Sequence, residues 1–135
     1  MRECPICRKH RGEGELVGPV IYVDEVIHVA HRASGSLGYV FIEPRRHVAS
    51  PAELTDAEAS AIGVARSRLA RALEAELDVL AVHAFVAGLA VPHLHEHVFV
   101  RHRGTPDDAP WWPPWPGTPE GDLDDLVARL RRHLG

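Results

Sequence analysis

Apolar and polar positions follow two rhythms along the chain. Val17 to Val23 (VGPVIYV) and Val26 to His31 (VIHVAH) are rich in β-branched residues and are separated by Asp24-Glu25, which reads as two strands and a turn. Gly35 marks another turn. Leu37 to Glu43 (LGYVFIE) reads as a buried strand ended by Pro44, which offers no N–H to a ladder. Two capping boxes follow in tandem, Ser50-Pro51-Ala52-Glu53 and Thr55-Asp56-Ala57-Glu58. The first predicts one short turn. The second opens a helix to about Leu77, with Ala61, Ile62, Ala65, Leu69, Ala72, Leu73 and Leu77 on one face. At ~1.5 Å per residue it is about 35 Å long, enough to cross a sheet.

The strand rhythm returns at Val79 to Val86, breaks at Gly88, and resumes from His93 to Arg101. Asp122 to Leu134 is an amphipathic helix with Leu123, Leu126, Val127, Leu130 and Leu134 on one face. Its acidic residues stand at the start and its arginines at the end, as the helix dipole favours. Two stretches lack either rhythm. Residues 1–15 are polar and read as a loop or knuckle. Residues 104–119 hold six of the eleven prolines and all three tryptophans, too many prolines for regular structure. The order strand, strand, strand, long helix, strand, strand, helix predicts an α+β fold: an antiparallel sheet of about five strands, one long helix and a C-terminal helix.

The 135 residues are one domain's worth, and 45% hydrophobic with 25% charged residues excludes a disordered chain. The net charge of −4 gives no global basic surface, so a nucleic-acid duplex is not the expected partner. No apolar run approaches the ~20 residues of a membrane helix. Met1 to Cys7 carries no apolar signal core, and the chain reads as cytoplasmic. In that compartment two cysteines, Cys4 and Cys7, read as metal ligands, a redox dithiol or free thiols rather than a disulfide. Cys4 lies too near the terminus for a thioredoxin-like motif, which follows a strand.

Histidine is the informative excess: ten residues, three of them at 93, 95 and 97. In a strand, positions i, i+2 and i+4 share a face, with neighbours ~6.6–6.8 Å apart along the chain. Imidazole titrates near neutrality. Neutral, it is a nucleophile or metal ligand; charged, it stabilises an anion. A solvated polar face or an adventitious metal strip fits a lone histidine better than three at period two followed by Val98-Phe99-Val100.

The stretch His93-Leu94-His95-Glu96-His97-Val98-Phe99 resembles the signature of the histidine triad (HIT) superfamily of nucleotide hydrolases and transferases. Gly38 to Val48 (GYVFIEPRRHV) is similar to that family's strand ending in Pro, a basic residue, any residue and His. Cys4-x-x-Cys7 is similar to its zinc-bearing bacterial branch. The likeness spans about residues 4–102. It implies a HIT-like domain over residues 1–103 with an N-terminal zinc knuckle, and a Pro/Trp-rich segment and helix over 104–135 packed on the same domain.

For the site, the resemblance implies that His95 attacks the α-phosphorus of a nucleoside phosphoramidate, anhydride or ester, forming a covalent nucleotidyl-histidine. Such a step replaces one hard displacement by two easier ones. His97 is implied to contact the phosphoryl oxygens or the leaving group. His31, at a position usually acidic and ribose-binding, and Gly88 are implied to contact substrate. Cys4, Cys7, His47 and His93 are implied to hold a structural zinc; His10 is a local rival to His47 that spacing does not separate. A homodimer joined through its sheets is also implied.

Other positions stay open. Arg101 and Arg103, just past the triad, fit either a phosphate clamp or a solvated strand end. The tryptophans fit a lid stacking on a base, or a flap over the core or a dimer partner. Glu96 departs from the apolar residue usual in its slot and points away from the histidines, toward solvent or an arginine. Leu89 and Ala90 stand where many relatives place Gln and Ser or Thr, and neither can hydrogen-bond a phosphate through its side chain. Those departures keep a second reading alive, a non-catalytic zinc-containing nucleotide-binding regulatory module, and a third, a plain zinc-stabilised scaffold.

Overall fold

The computed structural model describes residues 3–135. Residues 1 and 2, part of the expected N-terminal loop, lie outside the described residues. The elements in order are α1 (Pro5–His10), β1 (Val20–Val23), β2 (Ile27–His31), β3 (Val40–Pro44), a 3-10 turn (Pro51–Glu53), α2 (Asp56–Glu76), β4 (Val79–Phe85), β5 (Glu96–His102) and α3 (Leu123–Leu134). The five strands form one sheet in the order β1-β2-β3-β5-β4, every neighbour antiparallel. This is the expected α+β architecture.

The sheet has two unlike faces. Ile27, Val29, Val40, Ile42, Val98 and Val100 pack against Ile62, Leu69, Leu73, Leu126 and Leu130 of α2 and α3. Burying side chains of this size contributes ~1.5–3 kcal/mol each. Both helices therefore cover one face. Thr55 caps α2 by accepting from the Glu58 N–H, and Glu58 reaches back to the Thr55 N–H, the capping box legible in the sequence. Arg131 of α3 donates to the Val20 carbonyl at 2.8 Å and Arg129 to Glu76 at 3.0 Å, which fixes the C-terminal helix against β1 and α2. No helix among the described residues is long and apolar enough to cross a membrane.

Four local expectations are corrected. Residues 5–10 are a helical turn, not a loop: Pro5 suits a first helical position, and the Cys4 sulfur accepts from the Cys7 N–H. β1 begins at Val20, since Gly18 and Pro19 precede the ladder; a Cβ on Gly18 would strike the His31 carbonyl at 2.1 Å. β3 begins at Val40, after Gly38, whose φ of +84° favours glycine. β5 begins at Glu96, so His93 and His95 lie ahead of the strand and only His97 sits on it.

Candidate active site and metal cluster

The other sheet face carries the histidines, and strand pairing sets their surroundings. Partners across an antiparallel ladder point the same way. His97 of β5 lies opposite Phe41 of β3 and Phe85 of β4. Its ring stacks on Phe85 at 4.2 Å between centroids and meets Phe41 edge-on at 4.9 Å. The Tyr39 hydroxyl lies 2.6 Å from His97 Nδ1, and Trp112 Nε1 donates to the same hydroxyl at 3.0 Å. Burial first, then the neighbouring His95, push the His97 imidazole down to about 4, so it is neutral at pH 7.

His95 stands beside it, ring centroids 5.3 Å apart. Its Nδ1 is 2.8 Å from the His93 carbonyl oxygen. A carbonyl only accepts, so Nδ1 carries a proton, and in the neutral ring the lone pair is then on Nε2. Both rings line a cleft of about 340 Å³, whose walls include Ile6 and Lys9 of α1, Phe41 and Val91. That size is at the lower end for small-molecule sites.

His93 is turned the opposite way. Its Nε2–H donates to the Pro44 carbonyl at 2.8 Å, which leaves the Nδ1 lone pair free. Nδ1 lies 3.5 Å from the sulfurs of both Cys4 and Cys7 and 3.3 Å from His47 Nδ1, and Cys7 Sγ is 3.5 Å from that same atom. A tetrahedral zinc with Zn–S of ~2.3 Å and Zn–N of ~2.05 Å has sulfur–nitrogen edges of about 3.5 Å and nitrogen–nitrogen edges of about 3.3 Å. The four residues fit that metal. Burial and the adjacent Cys4 raise the Cys7 thiol, a shift that a bound cation would offset by favouring the thiolate. The Leu94 N–H donates to the Val48 carbonyl at 2.7 Å and pins the two histidine-bearing segments together.

The structure separates His10 from this cluster. Its Nε2 is 2.9 Å from Glu43, which also receives Lys9 Nζ at 2.6 Å. Burial acts to raise the Glu43 carboxyl, but His10 and Lys9 hold it below its usual range. His28 stacks on His10 at 4.4 Å and completes a buried polar group under α1.

Several expected contacts find other uses. His31, expected to contact substrate, bonds to backbone groups here. It shares a sheet face with Ile27 and Val29, donates through Nδ1 to the Arg32 carbonyl, and accepts the Gly38 N–H at Nε2 at 2.8 Å. Both nitrogens are spent on backbone. Arg101, expected as a phosphate clamp or a solvated strand end, donates through its guanidinium to the carbonyls of Pro106 at 2.7 Å and Ala109 at 3.1 Å, holding the turn after β5. Arg103 pairs with Asp78 at an exposed strand end. Gly88 lies in an exposed loop with φ of +69°. Glu96 faces α2, nearly buried, in a two-pronged pair with Arg66 at 2.6 and 2.9 Å; the arginine side of that expectation holds and the solvent side does not. Trp111 stacks on Phe99 and meets Phe85 edge-on, and Trp112 also meets Phe85 edge-on.

The sequence pattern gives Tyr39, Lys9 and Phe85 no assigned role at the site. Alternation does put residues 39, 41 and 43 on one face, but only the register brings Phe85 to His97.

An open antiparallel sheet, with its two longer helices on one face and the short α1 and the His95–His97 pair at the other, defines an α+β protein with a histidine-lined cleft backed by a Cys₂His₂ cluster. The HIT domain model matches residues 15–104, and the chain belongs to the histidine triad family, a family generally of nucleotide-binding proteins and hydrolases. Solved structures repeat the fold. A zinc-bound histidine triad family protein from Mycobacterium smegmatis is 20% identical with a TM-score of 0.74, covering 98% of this chain and 93% of its own. A hypothetical histidine triad nucleotide-binding protein from Sulfolobus tokodaii is 19% identical with a TM-score of 0.74, covering 97% and 91%. A HIT family protein from Bacillus anthracis is 24% identical with a TM-score of 0.66, covering 74% of each chain. No curated protein matches the sequence.

Proposed function

We propose that the chain is a nucleotide hydrolase or nucleotidyl transferase acting through His95. Neutral Nε2 attacks the α-phosphorus of a nucleoside phosphoramidate, anhydride or ester. A P–N bond forms as the bond to the leaving group breaks, and the leaving group takes the electron pair. Water or another acceptor then displaces the imidazole. His97 supplies a hydrogen bond to a phosphoryl oxygen or to the leaving group. The observation carrying this reading is the His95 Nδ1 bond to the His93 carbonyl, which fixes the tautomer with a free Nε2 at the cleft.

The metal is proposed as a structural zinc on Cys4, Cys7, His47 and His93. It would tie α1, one wall of the cleft, to the segment that carries His95. Residues 1–103 are taken as the HIT-like domain and 104–135 as a segment on the same domain; the buried Leu126, Val127, Leu130 and Leu134 support that. The unpaired edge of β4 supports a homodimer joined sheet to sheet. A cytoplasmic location is part of the same proposal.

The decisive experiment uses a nucleoside phosphoramidate carrying labelled phosphorus. The wild type should retain an acid-labile, base-stable adduct and His95→Ala none. A wild type that turns over the compound without a histidine adduct would sink the mechanism. One feature favours the regulatory module as a second reading: Leu89 is 91% exposed and Ala90 is beside it, so the loop before the triad gives the phosphate no side-chain donor. Binding with neither adduct nor turnover would select that reading.

A further inference from the structure

Tyr39 is one of the most deeply buried large side chains, 1% exposed, yet its hydroxyl has two polar neighbours. The indole N–H of Trp112 donates to the oxygen at 3.0 Å. His97 Nδ1 lies 2.6 Å away. Proton counting decides the direction of the second bond. An indole is a donor only, so the phenol must accept from it. If His97 Nδ1 also donated, the phenol would accept twice and its own O–H would be left without a partner in a packed site. A buried unsatisfied donor costs ~1–3 kcal/mol. The chain therefore runs from the Trp112 N–H to the Tyr39 oxygen, and from the Tyr39 O–H to His97 Nδ1.

The geometry points to Tyr39 and Trp112 as positioning residues that hold His97 in the tautomer with its proton on Nε2, the nitrogen left for the cleft. The inference deepens the proposed reading of His97 as the phosphate-facing donor and rests on it. A neutral imidazole with the proton on Nδ1 would present a lone pair to an anionic oxygen and repel it. With the proton on Nε2, it donates.

The ring stacks support the same arrangement. Tyr39 is clamped between Phe99, stacked at 5.0 Å, and the Arg32 guanidinium at 4.1 Å from its centroid. His97 is clamped on Phe85. Neither ring can swing to another partner without breaking a stack. Trp112 reaches the chain from the Pro/Trp-rich segment, which Arg101 anchors to the end of β5 through the Pro106 and Ala109 carbonyls. The segment after the triad strand thus feeds back onto the third histidine. Trp111 touches the same aromatic cluster only through its ring and makes no bond to the chain.

The test reads the His97 ring nitrogens directly. In the zinc-loaded wild type at pH 7, without nucleotide, ¹⁵N spectra should show His97 protonated on Nε2 alone. Tyr39→Phe keeps the ring stack and deletes the O–H; Nδ1-protonated His97 should then appear. Trp112→Phe should give a smaller change in the same direction, because the phenol O–H is free to turn away. Trp111→Phe should leave the spectrum unchanged. On a nucleoside phosphoramidate, Tyr39→Phe should lower kcat about ten- to hundredfold, the range for loss of an orienting partner, with KM changed far less.

A wild-type His97 protonated on Nδ1, or a tautomer unmoved in Tyr39→Phe, overturns the inference. A shifted tautomer with kcat unchanged overturns its functional half. If no nucleotide is turned over by the wild type, the covalent mechanism fails, while the tautomer measurement still decides the relay.

Discussion

Two single residues show how pairing sets behaviour. The Glu96 carboxylate lies beneath α2 and has Arg66 as its hydrogen-bonding partner. Arg66→Ala would leave a nearly buried charge unpaired. Because the arginine is itself half-exposed, the cost should be about 1–2 kcal/mol, below the range for a fully buried pair. Glu96→Leu, which removes the charge from an apolar setting, should cost less. Urea denaturation of the two variants checks the order. At His97 the depressed value, about 4 against an ordinary 6.5, has a linkage consequence. The unfolded chain binds a proton there between those values and the folded one does not. The contribution to stability is complete above pH 6.5 and is lost as pH falls toward 4. His28, also pushed down to about 4 by burial, adds a slope of the same sign. His97→Gln should therefore flatten the fall of Tm across that range without abolishing it.

Among the elements, α1 is the one that cannot stand alone. Six residues are too short for a stable helix in water. It is held by the buried Lys9–Glu43 pair and by the cysteines at its start. Elemental analysis should find one zinc per chain, absent in Cys4→Ser. Chelation should lower the wild-type Tm and leave that of Cys4→Ser unchanged, and it should widen the cleft on the α1 side, read as loss of nucleotide affinity. A metal-free wild type with the full Tm would contradict the zinc proposal. The long helix α2 behaves differently. Its capping box, Thr55 to Glu58, is legible in the sequence because both partners are near neighbours along the chain.

For the whole molecule, the sheet ends on β4 with an unpaired ladder, and Leu80 and Val86 are exposed along or just past it. Long exposed edges invite pairing with another chain, and lysine on an edge discourages it. Light scattering should give a dimer for the wild type and a monomer for Leu80→Lys/Val86→Lys with an unchanged circular dichroism spectrum. A wild type that stays monomeric at high concentration would remove the sheet-to-sheet dimer.

The sequence alone determined what depends on neighbours along the chain. Alternation gave five strands to within a few residues, the caps gave α2, and three histidines at period two marked the site and the family. Tertiary structure decided what depends on register and layer. It gave both ring nitrogens of His31 to backbone groups, the Arg32 carbonyl and the Gly38 N–H. It split the triad as the family resemblance implied, placing His93 with the cysteines and His95 and His97 at the cleft, with the strand beginning only at Glu96. It turned His10 to Glu43 and His47 to the cysteines, a choice that spacing left open. The contacts of His93, His10 and His47 join segments far apart in the chain, and no local pattern encodes which of two imidazoles a distant thiol or carboxylate will meet.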